Sequence, residues 1–385
     1  MSLLDAPSKN QLCTLTGDTL SEIYGSNLRL TQSIIDSYVG CPFEYMCKRL
    51  FALNEVAPAS FDYANFGTYV HYIFENYLKA AVKDGKLGQA PDPVYITKTV
   101  NIMADNYISS YFSNGVTDTP RLSYRFRRMR RLAALVATNI TREFEHSGFR
   151  PEFFELSIGK VGEESSVSPL VFKSSSGKGV YIVGKIDRVD LLRRDNDIFV
   201  KVVDYKSGKK AFSKKDIAKG QNIQLPLYLF ALCDEKQRGF KQAIKATESQ
   251  SVRPAGALYM SSLIDPIEVY ESSYDKNAVL TEAESSITRS GFLTSDIEIL
   301  REIDSELSPQ YLCDAKQDKS GCMKGDAILS SEEMDGLRDT LRDTVIGIAD
   351  TMMSGCMDAA PSRSNNQYRC ENCNMRAICR ARRKS

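Results

Sequence analysis

Two runs rich in β-branched and aromatic residues, GVYIVGKIDRVDLL over 179–192 and DIFVKVVDYKSG over 197–208, are separated only by a polar break. Their period-two alternation marks both as strands, and Asp195-Asn196 suits a two-residue hairpin loop. If the loop closes there, Arg194 faces Asp197, and opposed residues sum to 391. Asp187 then faces Asp204 on one face of the sheet, and Lys206, two residues on, shares that face. The surrounding positions Val183, Ile186, Val189, Ile198, Val200 and Val203 are apolar. Like charges directly opposed destabilise a ladder, and a bound divalent cation removes the difficulty. Two aspartates and a lysine on one strand pair suit metal-assisted hydrolysis of a phosphodiester. The carboxylates hold Mg2+ (or Mn2+), which polarises the phosphate and acidifies a water, while the lysine orients that water and screens developing charge. The plainer alternative is a surface salt bridge between Lys206 and an aspartate.

The rest of the chain supplies an α/β context. PEFFELSIG (151–159) and GALYM (256–260) read as further strands, and GQNIQLPLYLFAL (220–232) as a helix between strands. TQSIIDSYVG (31–40) reads as a short amphipathic helix with Ile34, Ile35 and Tyr38 inward, and Pro42 suits the first turn of the next helix over 41–53. In the helix expected over 67–85, Val70, Phe74, Tyr77 and Leu78 form the apolar stripe and Gly85 the stop. Residues 92–148 read as mostly helical. The expected organisation is an N-terminal extension (1–30) without clear period, a helical region (31–150), a core (151–260), a helical insertion (261–360) and a tail (361–385).

Ten cysteines do not suggest a disulfide framework in a chain whose first residues lack the basic and apolar regions of a signal peptide; the expectation is a cytoplasmic protein without a membrane partner. Six cysteines are scattered and suit buried small hydrophobes. The other cysteines that stand out, Cys370, Cys373 and Cys379, are spaced C-x2-C-x5-C, one thiol short of a tetrahedral zinc or cubane iron–sulfur site. No G-x4-G-K-[ST] motor motif occurs. The net charge of +1 conceals local basic patches. RLSYRFRRMRR (121–131) holds six arginines, with Leu122, Phe126 and Met129 on one stripe and Arg121, Arg125 and Arg128 on another, Arg127 beside them. KSGKKAFSKKDIAKG, containing Lys209 and Lys210, leaves the carboxylate pair. Such runs are usually solvated faces; here they suit nucleic-acid phosphates, gripped without sequence readout.

Two further groups adjoin this pattern. Gln224 and Tyr228 lie i,i+4 on one helix face, and His71 follows GTYV early in its helix, as a core histidine or a ligand. Taken in order, GTYVH, GKIDRVD, VVDYKSGKK and QLPLY resemble the RecB-type branch of the PD-(D/E)xK nucleases. The resemblance implies a restriction-endonuclease-like core, a mixed central sheet flanked by helices, in which His71, Asp187, Asp204 and Lys206 form the catalytic set, the first three as Mg2+ ligands, supported by Gln224 and Tyr228. SIIDSYVGCPFEYM and the tail resemble the AddB (RexB) nuclease domain over roughly 31–380. This implies that Cys41 joins Cys370, Cys373 and Cys379 around a 4Fe–4S cluster that staples the tail, with Cys47 packing instead; zinc is the competing metal.

What the resemblance implies about function is a Mg2+-dependent exonuclease acting on single strands at DNA ends in recombinational double-strand break repair, with an AddA-type helicase–nuclease subunit as partner. AddB proteins carry a long helicase-like region that this chain lacks, which implies an isolated nuclease domain, a fragment or a truncated relative. A CRISPR-associated 4Fe–4S exonuclease and a non-catalytic DNA-end-binding module are the alternatives.

Overall fold

The computed structural model describes residues 14–53, 63–111, 120–159, 166–206, 208, 211–261, 275–364 and 367–379. A helix α1 (Gly17–Tyr24) leads into strand β1 (Asn27–Leu30) and helices α2 (Gln32–Gly40) and α3 (Pro42–Tyr45). Long helices α4 (Tyr63–Lys83), α5 (Pro93–Tyr111) and α6 (Pro120–Glu145) follow. The β region comprises β2 (Arg150–Ile158), β3 (Ser166–Val167), β4 (Leu170–Lys173), β5 (Gly179–Ile182), β6 (Gly184–Arg194) and β7 (Asp197–Lys206). Helices α7 (Lys214–Ala218) and α8 (Gln224–Leu232) lead to strands β8 (Ser251–Ser261) and β9 (Arg289–Thr294), and a long helix, Ser331–Met353, precedes the tail. No helix of the described residues is long and apolar enough to cross a membrane.

The hairpin closes at the expected turn. β6 and β7 pair antiparallel from Arg194↔Asp197 to Arg188↔Val203, and Asp195 takes the left-handed φ, 49°, that a tight primed turn needs. The central sheet is mixed, in the order Ile328–Leu329, β9, β8, β7, β6, β2, β3. β7 runs parallel to β8, and β6 antiparallel to β7 and β2. One core fills the side covered by α2, α8 and Ser331–Met353, around Ile35, Tyr38, Val189 and Leu229. The other lies beneath α4, α5 and α6, around Phe74, Phe126, Phe144 and Val203.

Four segments depart from the sequence reading. The run 179–192 is not one strand: it divides at Val183, whose N–H donates to Leu30 O, so β5 pairs with β1 in a small second sheet and only β6 enters the central one. β1 lies in a segment read as lacking period; four residues are too short to show one, although Leu28 and Leu30 are buried. The expected helical insertion contains β9, which joins the central sheet beside β8. Most of β9 is buried, and strands covered on both faces lose the alternation that reveals them. Helix α8 begins at Gln224 rather than Gly220, because Gly220 and Asn222 take left-handed φ values of 77° and 54°.

Between α6 and the sheet lies a fully enclosed charge network. Glu143 of α6 receives Arg188 at 3.1 Å, Lys201 at 2.9 Å and Arg289 at 2.6 Å. Asp190 receives Arg188 at 2.9 Å and Lys201 at 3.3 Å. All five side chains are at most 2% exposed, and the Arg188 guanidinium also lies over the Phe144 ring. Burial opposes ionisation of Glu143, but Lys201, Arg289 and Arg188 together hold its carboxyl well below the ordinary value. The stability it contributes is present above the unfolded-state pKa and is lost as pH falls. Glu143→Ala would leave three cations buried with one carboxylate, so urea unfolding should show a loss of about 3–5 kcal/mol. A change under about 1 kcal/mol would mean that the network does not hold α6 to the sheet.

Candidate active site

The β6–β7 ladder stops at Arg188↔Val203, one step before Asp187 and Asp204 would pair. Instead, the Tyr205 backbone N–H donates to Asp187 Oδ2 at 2.8 Å. The cause is a slip in face alternation. Ile186 belongs to the α8-side core, whereas Arg188 reaches Glu143 on the α6 side; a regular strand would put both on one face. β2 slips at the same level. Leu156 packs on the α8 side, Phe154 on the opposite side, and Glu155 between them takes a left-handed φ of 54°. A non-glycine residue held there costs on the order of 1–3 kcal/mol. Because Phe154 pairs with Arg188 and Leu156 with Ile186, Glu155 and Asp187 are brought to the same point.

Helix α4 delivers His71 to that point. Its Nε2 lies 3.0 Å from Tyr205 O, a bond in which the ring N–H donates. Its Nδ1 then faces Asp187 Oδ1 at 3.3 Å and Glu155 Oε1 at 3.6 Å. Burial alone would lower the His71 pKa, but Asp187 and Glu155 outweigh it and push it up to about 10. Sequence reasoning missed Glu155. Its only local signal is a place in a strand; its partnership with Asp187 depends on the pairing of β2 with β6.

Asp204 sits on the α8 side of the same strand end. Gln224 Nε2 donates to Asp204 Oδ1 at 2.9 Å, and Lys206 Nζ lies 2.6 Å from Oδ2. Gln224 Oε1 accepts from Lys206 Nζ at 3.2 Å, so the amide spans both groups. The Lys206–aspartate pair is therefore real, but its carboxylate is only 3% exposed and it is no surface bridge. Burial, then the charge of Asp187, push Asp204 up to about 7 against the pull of Lys206. Tyr228, one turn beyond Gln224, lies beneath Gly184 and takes a hydrogen bond from the Lys185 backbone. A Cβ at Gly184 would fall 1.9 Å from the Tyr228 hydroxyl, so the glycine is what lets the ring support the strand.

These groups fit a divalent cation. Donor atoms of His71, Glu155 and Asp187 lie within 4.8 Å of one another, the one such group among the described residues, with Asp204 adjoining. A carboxylate set with one imidazole suits Mg2+ or Mn2+.

The arginine-rich segment forms the first half of α6. Leu122, Phe126 and Met129 are buried, while Arg121, Arg125, Arg127 and Arg128 are exposed. Lys209 and Lys210 lie outside the described residues. The cysteines converge as well: Cys41, Cys370, Cys373 and Cys379 line one cavity with Phe43 and Arg369. Cys47 lies in the α8-side core and does not line that cavity.

The sequence profile of the PD-(D/E)XK nuclease superfamily matches residues 29–380. Among curated proteins, the chain is similar to one of the subunits of the ATP-dependent helicase/deoxyribonuclease of Thermoanaerobacter sp. (strain X514), 24% identical over 373 residues, 96% of this chain and 31% of the relative. The corresponding subunit from Clostridium novyi (strain NT) is 26% identical over 372 residues, 96% of this chain and 32% of the relative. The chain thus spans about a third of the length of these relatives.

The Asp204 carboxyl gives a test by pH. Its folded pKa of about 7 exceeds the unfolded value of about 3.9. The folded state binds the extra proton, so this contribution is full below the unfolded pKa and is lost as pH rises toward 7 and above. In chelator-treated protein, melting temperature should fall from pH 5 to 8 more steeply for wild type than for Asp204→Asn. Mg2+ or Mn2+ should restore the wild type at pH 8 and have little effect on the variant. Parallel profiles for the two proteins would refute this account of the site.

Proposed function

Because the chain belongs to the PD-(D/E)XK nuclease superfamily, we propose that it is a metal-dependent deoxyribonuclease acting on single strands at DNA ends. In this reading it is the nuclease part of a helicase–nuclease subunit serving recombinational repair of double-strand breaks. The carrying observation is the convergence of His71, Glu155, Asp187, Asp204 and Lys206 at one end of the sheet, with Gln224 spanning the last two. The relatives are named as one subunit of an ATP-dependent helicase/deoxyribonuclease; an AddA-type helicase–nuclease partner is accordingly part of the proposal.

Asp187, Glu155, His71 and Asp204 would hold Mg2+ or Mn2+, which supplies Lewis-acid polarisation of the phosphate and a water of lowered pKa. The chain's own residues do the rest. Tyr205 fixes Asp187 through its N–H and His71 through its carbonyl. The second bond turns Nδ1, rather than Nε2, toward the carboxylates. Gln224 holds the Lys206 ammonium beside Asp204, a fixed cation that orients the attacking water and stabilises charge gathering on the phosphate. The exposed arginines of α6 would bind the backbone without reading sequence.

The same reading gives Cys41, Cys370, Cys373 and Cys379 a 4Fe–4S cluster. Their common cavity supports it. Backbone bonds already bring the two ends together, from Phe43 N to Asp358 O and from Ser362 N to Gly40 O.

Asp204→Ala and Lys206→Ala should each lower Mg2+-dependent cleavage of end-labelled single-stranded DNA at least about 100-fold, with circular dichroism unchanged. Wild-type digestion rates in either variant would end the proposal. Separately, anaerobically purified Cys41→Ala should lose absorbance near ~400 nm that Cys47→Ala keeps; a colourless wild type with one bound zinc would replace the cluster with zinc.

A further inference from the structure

A second lysine stands at the carboxylates, on the sheet face opposite Lys206. Lys185 comes one residue before Ile186, whose side chain belongs to the α8-side core, so alternation sends Lys185 to the α4 side. There its Nζ meets Glu155 Oε2 at 2.7 Å. The other oxygen of the same carboxylate, Oε1, faces His71 Nδ1 at 3.6 Å. The Lys185 backbone is fixed by its hydrogen bond to Tyr228 and by pairing with Ser157 of β2. The strand thus sets where the side chain starts, while its four-carbon stem gives the ammonium a range of positions.

The Lys185 side chain is 49% exposed, and an ion pair so open to water contributes little to folding. Its partner is what matters. Glu155 is held at a left-handed φ of 54° and belongs to the donor group that fits a cation. A divalent cation on that carboxylate and an ammonium 2.7 Å from its Oε2 repel each other. The two therefore compete for Glu155. Lys206 is 28% exposed and is held between Asp204 and Gln224. Lys185 is the more exposed of the two lysines, and a point charge on a flexible stem is well suited to bind a phosphate.

We propose that Lys185 is a substrate-positioning residue that exchanges partners: it neutralises Glu155 while no cation is bound, and holds a backbone phosphate of the DNA strand once a cation takes that carboxylate. This rests on the nuclease reading given above. The exchange couples the two ligands. Cation binding releases the ammonium to DNA, and DNA that takes the ammonium leaves Glu155 open to the cation. A lysine that only gripped phosphate would do so with or without the cation. Removing a lysine that only braced Glu155 would weaken cation binding.

Two binding measurements test it. In metal-stripped protein without DNA, isothermal titration calorimetry should find that Lys185→Ala and Lys185→Met bind Mn2+ about two- to fivefold more tightly than wild type. Labelled oligo-dT is then titrated by fluorescence anisotropy against Lys206→Ala protein, which should not cut it. Adding Lys185→Ala should weaken this binding about tenfold with Mn2+ present and less than about twofold in chelator, and should lower the salt slope by about 0.7 only with Mn2+. Lys185→Arg, which keeps the charge, should match the parent protein in both measurements. The proposal is overturned if the alanine and methionine variants bind Mn2+ no more tightly than wild type, if wild type binds none, or if Lys185→Ala weakens DNA binding equally with and without Mn2+. The two readings separate cleanly. Cleavage that survives Asp204→Ala and Lys206→Ala would remove the nuclease assignment and leave the Mn2+ comparison standing; unchanged Mn2+ affinity in the Lys185 variants of a cleaving enzyme would remove only the exchange.

Discussion

The scaffold depends on Arg188. Its guanidinium is enclosed between α6 and the sheet, where an unpaired charge would cost several kcal/mol, and it is held by Glu143, Asp190 and the Tyr205 hydroxyl at 3.3 Å. The requirement to satisfy it pins α6 and, through Glu143 and Arg289, β9 to the central strands. Tyr205 carries the constraint into the candidate active site. One end of the residue is tied to the buried network; its backbone N–H and C=O hold Asp187 and His71. A change in the packing of α6 would therefore shift Asp187 and His71.

This division of labour explains the short motif GKIDRVD residue by residue. Gly184 leaves space for the Tyr228 ring. Ile186 and Val189 fill the α8-side core. Arg188 and Asp190 belong to the charge network on the other side. Asp187 stands at the slip between the two faces, just past the last paired step of the β6–β7 ladder. The local irregularity frees the carboxylate from the ladder and turns it toward Glu155 and His71, and the surrounding regular strands supply the rigidity.

The cysteine cavity uses a different principle. Cys41 follows α2, and β1 just before α2 pairs with β5, which leads directly into β6. The tail reaches this region through Arg369, whose side chain meets the buried Glu44 at 2.9 Å. Residues far apart in the chain are thus joined by an ion pair and main-chain bonds around the four thiols. Closing so long a loop restricts the unfolded chain more than the folded one, and a cluster bound there would strengthen a contact that the protein already makes.

Much of this was legible in the sequence because it is local. Period-two alternation and the Asp195-Asn196 turn determined the hairpin register from Arg188↔Val203 outward. Apolar spacing placed Val70, Phe74, Tyr77 and Leu78 against the core, and Gln224 and Tyr228 on one helical face. Tertiary structure alone decided the rest. Glu155 enters the candidate site only because β2 pairs with β6 and its backbone turns left-handed at that residue. β1 and β9 become strands only because distant partners cover them, and Arg188, Lys201 and Arg289 are buried only because Glu143 and Asp190 meet them. Periodicity and turn chemistry are written into neighbouring residues, but the partners that make a buried charge or an irregular backbone tolerable come from elsewhere in the chain.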